Sequence, residues 1–413
     1  MAAELRVPAD SRSAFPPRHT RGTPGFLRIS LAMFSAGLAT FTTLYCVQAL
    51  LPALADRFAL SPATASLAIS VSTAGLAIGV IPLTALSEAV GRVPMMTASL
   101  FTSAVLGILA AISPNFTVLL VLRALQGLAL AGLQAVAMTY LAEELHRNSL
   151  GFSMGLFIAG NGFGGMAGRL LAALVSDVAG WRWALAVVGL VALACSIVFR
   201  LTVLPSAQFR ARPLRPRPLL AAIGRACTDT GLLRLFAVGV LAMSGLVTVY
   251  NYLGFRLLRA PFELSPSIVG LIFVVYLAGS VSSTVAGRLA DRFGRHRMLW
   301  LAAIVMLAGV GLLVPDTLAV VVAGLVVLTV GFFAVHALAS GWVGARSATL
   351  RVQGSAVYLC SYYLGSSVGG SLGGIAYGSG GWAATTWYVA ALVALVLVLA
   401  VSVRRLVPAR AVA

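Results

Sequence analysis

Twelve apolar stretches run through this chain, each near the length that crosses a bilayer, and they constrain its fold more than any other feature. They fall at roughly 27–54, 63–86, 94–112, 115–142, 150–177, 183–204, 232–256, 264–289, 297–315, 317–343, 353–378 and 382–403. About twenty helical residues span a hydrocarbon core of ~30 Å. Composition agrees, because 60% of the 413 residues are hydrophobic and 10% are charged, whereas a soluble domain carries about 25% charged residues. Mean hydropathy is +0.99. A chain this poor in polar surface needs lipid to cover it. The expected fold class is an all-α membrane protein of twelve transmembrane helices.

The net charge of +18 is placed as membrane topology requires, not as nucleic-acid binding would. All 29 basic residues are arginine. Arg6, Arg12, Arg18, Arg21 and Arg28 lie before or at the first stretch, and Arg200, Arg210, Arg212, Arg215, Arg217, Arg225 and Arg234 cluster around the middle. Arg292, Arg295 and Arg297 follow the eighth stretch, and Arg404, Arg405 and Arg410 close the chain. Only Arg57, Arg182, Arg256 and Arg259 fall near the alternate loops. The positive-inside rule then puts both termini in the cytoplasm of a multi-pass inner-membrane protein. No basic face interleaved with aromatics suggests nucleic acid.

Missing lysine also excludes a phosphate-binding loop of the G-x-x-x-x-G-K-[ST] type, so energy is expected from a gradient. Cys46, Cys195, Cys227 and Cys360 are far apart and imply neither a disulfide framework nor a metal site. His19, His146, His296 and His336 form no H-E-x-x-H pair, which argues against a membrane enzyme. No cofactor is implied.

Residues 205–218, PSAQFRARPLRPRP, are the one long Pro/Arg-rich stretch between apolar segments, and proline is expected to keep it non-helical. The organisation expected is a disordered cytoplasmic tail (1–26), a six-helix bundle (27–204), a cytoplasmic linker (205–231), a second six-helix bundle (232–403) and a cytoplasmic tail (404–413). The halves repeat each other. Leu86, Glu88, Gly91 and Arg92 in TALSEAVGRVP match Leu289, Asp291, Gly294 and Arg295 in GRLADRFGRHR, 203 residues on. Gly160-Asn161-Gly162-Phe163-Gly164-Gly165 is echoed by Gly365-Ser366-Ser367-Val368-Gly369-Gly370, and Tyr45 falls on Tyr250, both at an offset of 205. Duplicated, pseudo-symmetric bundles around a midplane site are one plan for alternating access.

The stretch 287–297 resembles the G-x-L-A-D-R-x-G-R-[KR] motif of the major facilitator superfamily, with His296 in place of the last basic residue. The first copy is degraded, with Thr84, Glu88, Ala89 and Val93 at motif positions. Arg123-Ala124-Leu125-Gln126-Gly127 is similar to the R-x-x-Q-G motif of proton-linked members. The run Gly160–Gly165 is similar to the G-P-x-x-G-G motif associated with exporters, with Asn161 for proline. The wider chain, about 21–405, resembles YnfM-type (drug/sugar efflux-like) exporters of that superfamily. The resemblance implies two six-helix bundles, and a conformational latch formed by Glu88, Gly91, Arg92, Asp291, Gly294 and Arg295. Glycine permits the tight turn there, and charges near helix ends interact with the helix dipole. Glu143 and Glu144 are within possible reach of Arg92.

Arg123 and Arg169 lie well inside apolar segments, where an arginine costs on the order of 2.5–3.5 kcal/mol on insertion scales. Arg123, Gly127, Leu130 and Gln134 share one helix face, with Gln126 beside it, as expected of a helix lining an aqueous cavity; the alternative is an Arg123 that snorkels to the outer interface. Arg169 either serves the cavity or reaches outward to Asp177. Tyr45, Gln48, Asn161, Tyr250, Asn251, His336 and Tyr362 complete the candidate substrate-binding set, against the alternatives of interfacial tyrosines and a structural histidine. None of the eleven acidic residues sits in the middle of an apolar segment, so the intramembrane carboxylate of many proton-coupled exporters is missing. The function expected is a secondary active transporter, a proton-coupled exporter of a small organic or amphipathic compound acting as a monomer. The alternative is an organic-anion transporter, importing or exchanging, that uses Arg123 and Arg169.

Overall fold

Side-chain caps and glycines set the helix ends. In the computed structural model, which describes residues 18–211, 216–347 and 351–403, Thr23, Ser61, Asn115 and Ser265 each accept a first-turn N–H, and Pro24, Pro62 and Pro266 follow three of these caps. A proline at the first helical position forfeits no hydrogen bond, because that N–H has no partner in the helix. The spans are α1 (Pro24–Phe58), α2 (Pro62–Val90), α3 (Arg92–Ala111), α4 (Phe116–Glu144), α5 (Arg147–Ala179), α6 (Trp181–Thr202), α7 (Thr230–Leu257), α8 (Pro266–Phe293), α9 (Arg295–Leu312) and α10 (Leu318–Arg346). The last apolar helix, Gln353–Ser402, loses helical backbone at Gly380 and Gly381, where Gly381 has φ +63°. It is therefore two spans, α11 (353–379) and α12 (382–402), and the twelve expected helices are present.

The 84–94 and 287–297 stretches differ from loops of ordinary length. Helix runs up to a single glycine in each, Gly91 (φ +100°) and Gly294 (φ +87°), and resumes at the next residue. Left-handed backbone of this kind strains any residue with a Cβ, which accounts for both motif glycines. The linker also departs from expectation. Helix is described over Pro216–Thr228, so the prolines at 216 and 218 do not keep this part of the linker non-helical. Residues 212–215 lie outside the described residues. The expected tails do too, at 1–17 and 404–413. From residue 18 onward the N-terminal segment is structured: His19 N–H donates to Glu144 O (3.0 Å), and His146 N–H donates to His19 O (3.0 Å).

Packing repeats between the halves. In the first, α1 packs on α5, and α2 and α3 on α4; in the second, α7 packs on α11, and α8 and α9 on α10. The bundles touch through α2 against α11 and α5 against α8, a pair of contacts related by the same pseudo-symmetry. Gly160, Gly164 and Gly168 of α5 rest on the backbone of Phe34, Leu38 and Thr42. A fourfold spacing places all three on one face, and a Cβ there would come within 2.5 Å of an α1 carbonyl oxygen. In α11 Gly365 likewise rests on the Val240 backbone, while Gly369 and Gly373 make room for the side chains of Ser244 and Thr248. Thr42 and Thr248 each donate across the contact to a glycine carbonyl, Gly164 O and Gly369 O (both 3.2 Å).

Candidate functional site

Polar ties found between the bundles among the described residues gather toward the end away from the motif glycines. Ser66 Oγ accepts from the Tyr252 hydroxyl (2.9 Å) and the Ser371 hydroxyl reaches Ser70 Oγ (2.8 Å). Asp177 Oδ2 accepts from Ser267 Oγ (2.5 Å) and Ser267 N (3.3 Å). Deeper in the same seam, Gln48 Nε2 donates to Asn251 Oδ1 (2.7 Å). Asp177 thus serves α8, and Arg169 does not reach it.

Arg169 is fully buried (0% exposed). It lies ten residues before the end of α5, ~15 Å along the helix. Its Nε donates to Gln48 Oε1 (2.6 Å), one Nη to Gly165 O (2.5 Å) and the other to the Tyr276 hydroxyl across the seam (3.2 Å). Four rings surround the guanidinium, with centroids at 4.4 Å (Tyr276), 4.7 Å (Tyr45), 5.3 Å (Phe273) and 5.8 Å (Tyr250). Arginine suits this setting because its planar, weakly hydrated cation stacks on aromatic faces. Tyr45, Gln48, Tyr250 and Asn251 are brought together as one cluster. Phe273 and Tyr276 belong to it as well. They sit on one side of α8, three residues apart, across a 3₁₀ turn at Phe273–Val275, and that spacing was the available signal.

Arg123 (1% exposed) lies elsewhere, inside the first bundle. It donates to Thr43 O (2.9 Å), Leu44 O (2.6 Å), Ala68 O (3.2 Å) and Gln126 Oε1, and Gln126 Nε2 donates to Ser103 O (2.8 Å). The α1 carbonyls involved lie just before Cys46–Leu50, where α1 tightens into a 3₁₀ turn. On the face expected to line an aqueous cavity, Gly127 is pressed on α2, since a Cβ there would overlap Ser72 O. Arg123 does not snorkel, and with Gln126, Thr43 and Cys46 it borders a small cavity inside the first bundle. Gln134 Nε2 and Asn161 Oδ1 are buried without partners, and Asn161 packs against Gly37 of α1.

His336 and Tyr362 form a second cluster in the C-terminal bundle. Their rings are 4.6 Å apart, and His336 Nδ1 lies 3.0 Å from the Tyr358 hydroxyl. Phe332 stacks on His336, and Phe333 joins this group to Tyr276 with centroids 5.6 Å apart. An aromatic chain therefore links His336 to the Arg169 box. Ser366 lies in α11 within a π-helical turn, Gly365–Gly369, its buried hydroxyl without a well-formed hydrogen bond.

The two motif regions differ. Arg92 (4% exposed) donates to Glu88 Oε1 (2.7 Å), to both oxygens of Glu143 (3.0 and 3.3 Å) and to Ser87 Oγ (2.8 Å). The Phe209 ring of the linker lies 5.4 Å from its guanidinium carbon, and Gln208 N donates to Glu144 (3.1 Å). Asp291 and Arg295 are exposed, and among the described residues neither makes an ion pair. Among the described residues Arg295 reaches Gly341 O, at 3.4 Å.

A model of the Major Facilitator Superfamily matches residues 31–262 and 253–412. The inner membrane transport protein YnfM of Escherichia coli is 44% identical over 383 residues, 93% of this chain and 91% of the relative. YybF of Bacillus subtilis, an MFS-type transporter, is 39% identical over 362 residues, 88% of this chain and 90% of the relative. The crystal structure of a bacterial homologue of the human lysosomal transporter Spinster, inward-facing and occupied, is similar with a TM-score of 0.74 at 16% identity, covering 93% and 97% of the two chains. The nucleoside transporter NupG gives 0.71 at 13%, covering 92% and 100%. At these identities the two structures speak for the fold alone.

Proposed function

Because the chain belongs to the major facilitator superfamily, and so to multi-pass membrane transporters rather than enzymes, we propose that it is a proton-coupled exporter of a small amphipathic organic compound, working as a monomer in the inner membrane by alternating access. One observation carries the reading: among the described residues the hydrogen bonds that tie the bundles gather toward one end, as single bonds across a seam with a buried arginine at its inner edge. Hydrogen bonds of this kind re-form on either side of a rocking motion at small net cost. The arginine asymmetry supports cytoplasmic termini, in which case the tied end faces outward and substrate enters from inside. Export rests on the likeness of the Gly160–Gly165 run to the exporter motif. Proton coupling finds a candidate carrier in His336, the one described histidine deep inside a span.

The test is transport in inside-out vesicles. Acidifying the lumen should drive accumulation of a dye or drug from a broad panel, and a protonophore should abolish it. Gradient-driven uptake of a single nutrient in the opposite sense would overturn export. A second reading, an organic-anion transporter, is favoured by the absence of any carboxylate at Arg169. Arg123 adds nothing to that reading, because backbone carbonyls and Gln126 already engage it.

A further inference from the structure

Arg169 brings a full positive charge into the seam, and its surroundings supply no negative one. Its acceptors are an amide oxygen, a backbone carbonyl and a tyrosine hydroxyl. The described acidic residues all lie at or beyond the span ends, Asp56, Glu88, Glu143, Glu144, Asp177, Asp229, Glu263, Asp291 and Asp316 among them. A buried cation without a countercharge is costly, and ring faces and carbonyl dipoles offset that cost only in part.

The polar atoms left over have the same bias. The Tyr45 and Ser366 hydroxyls, which lie beside each other, and Asn251 Nδ2 are buried without a well-formed hydrogen bond, and each can donate one. Asn251 Nδ2 faces the bare flank of Gly370, 3.1 Å from where a side chain there would begin. Asn251 shares Gln48 with Arg169, and Tyr45 lies against the guanidinium. The place is rich in donors, short of acceptors and walled by aromatic rings.

We propose that Arg169 is the anchor of a substrate site for an aromatic carboxylate. The carboxylate displaces Gln48 Oε1 and the Tyr276 hydroxyl from the guanidinium, accepts from the spare donors, and lays its ring among Tyr45, Tyr250, Phe273 and Tyr276. A guanidinium holds a carboxylate through two parallel hydrogen bonds, which a neutral amide of the same shape cannot match. Binding that takes Arg169 away from Tyr276 also removes one tie between the bundles, so the substrate itself loosens the closed end. This inference rests on the transporter reading and names its substrate class.

Binding to purified protein in detergent separates the two claims, because it needs neither export nor a gradient. Naphthoate serves as the anionic probe, with naphthamide and naphthylmethylammonium as neutral and cationic controls, all followed by calorimetric titration and thermal melting. Naphthoate should bind, and the two controls should bind at least tenfold more weakly. Arg169→Gln should abolish naphthoate binding. Gln48→Glu guards against misfolding of that variant, since it supplies the missing countercharge where Gln48 Oε1 already lies 2.6 Å from Arg169 Nε, and Asn251 can turn its unpartnered Nδ2 to the new oxygen. That variant should melt higher than wild type without ligand and bind naphthoate at least tenfold more weakly. The proposal is overturned if wild type does not bind naphthoate, if the amide or the ammonium binds within tenfold of it, or if Gln48→Glu weakens binding less than tenfold. A wild-type protein that exports dyes yet ignores naphthoate keeps the transport reading and loses this one.

Discussion

Around Gly91, Arg92 is enclosed by Glu88, Glu143, Ser87 and the ring of Phe209. Around Gly294, 203 residues later, Arg295 stands exposed with one long contact to a carbonyl. The enclosed copy is the one whose motif is degraded. The exposed copy matches the family pattern at every position but one. The difference comes from the neighbouring helix. At the motif end α4 finishes in Glu143-Glu144, whereas the residue of α10 that falls on Glu143, at the same offset of 203, is Arg346. Glutamate draws Arg92 in. Arg346 offers Arg295 no acid and pairs with Asp229 at the start of α7, 2.8 Å away. A motif written in one short segment thus works through an acid 51 residues away, and a good local match does not ensure a formed contact.

The largest effect expected from this contrast belongs to Arg92→Ala. It leaves Glu143 and Glu88 facing a buried space without their cation. Removing one partner of a buried pair costs about 3–5 kcal/mol, and the two glutamates keep 26% and 34% exposure, which screens the loss to about 2–3 kcal/mol. Arg295→Ala should leave the melting temperature unchanged. Denaturation of both purified variants in one detergent checks the pair. Equal destabilisation would show that the two loops are alike after all. If both arginines act as latches, as the family resemblance implies, Arg295→Ala should change transport rate without changing stability.

A smaller effect, about 1–1.5 kcal/mol, is expected of Glu143→Gln. This change keeps the shape and some hydrogen bonding but removes the charge that α10 lacks, and a hydrogen bond to a charged group is worth about 1.5–3 kcal/mol. Melting temperatures of Glu143→Gln and Glu88→Gln, side by side, sharpen the comparison. If the distant acid decides the matter, the first should fall further. An equal or larger fall for Glu88→Gln would return the weight to the motif itself.

What could be read in the sequence follows from where each constraint resides. Bilayer thickness acts on single segments, so the twelve spans were legible, and duplication made the two bundles legible through their offsets. Tyr45 and Tyr250 were paired because α1 and α7 repeat each other, and Gln48 and Asn251 were singled out as amides within apolar spans. Tyr276 and Phe273 were not, since they reach Arg169 only when α8 of one bundle meets α5 of the other. The surroundings of Arg123 were hidden for another reason. Its partners are carbonyls exposed where α1 tightens at Cys46–Leu50, and a backbone acceptor has no letter in a sequence. The linker helix was missed because proline was read as a breaker across the whole Pro/Arg-rich stretch.

The smallest expected effect lies at Asp229, where the second bundle puts its motif-end ion pair. Burial alone would raise this carboxyl, but hydrogen bonds from Arg346 and from the Leu232 and Gly231 N–H groups, with the charge of Arg346, outweigh it and hold the group below its ordinary value. A carboxyl depressed in the folded state adds stability above its unfolded pKa of about 3.9 and loses it as pH falls through the lower folded value. Asp229→Asn keeps the helix cap, because asparagine caps as well as aspartate, yet gives up the pairing. Side-chain exposures of 25% and 34% leave the pair open to screening, so the loss near pH 7 is about 0.5 kcal/mol in low salt. Melting curves of wild type and variant should therefore be separated at neutral pH and converge below about pH 4. Added salt should narrow the neutral gap, since screening acts on exposed charges. Curves that stay apart in acid would mean that Asp229 acts through its shape as a cap, and the charge reversal between the two motif ends would then have no part in holding the second one.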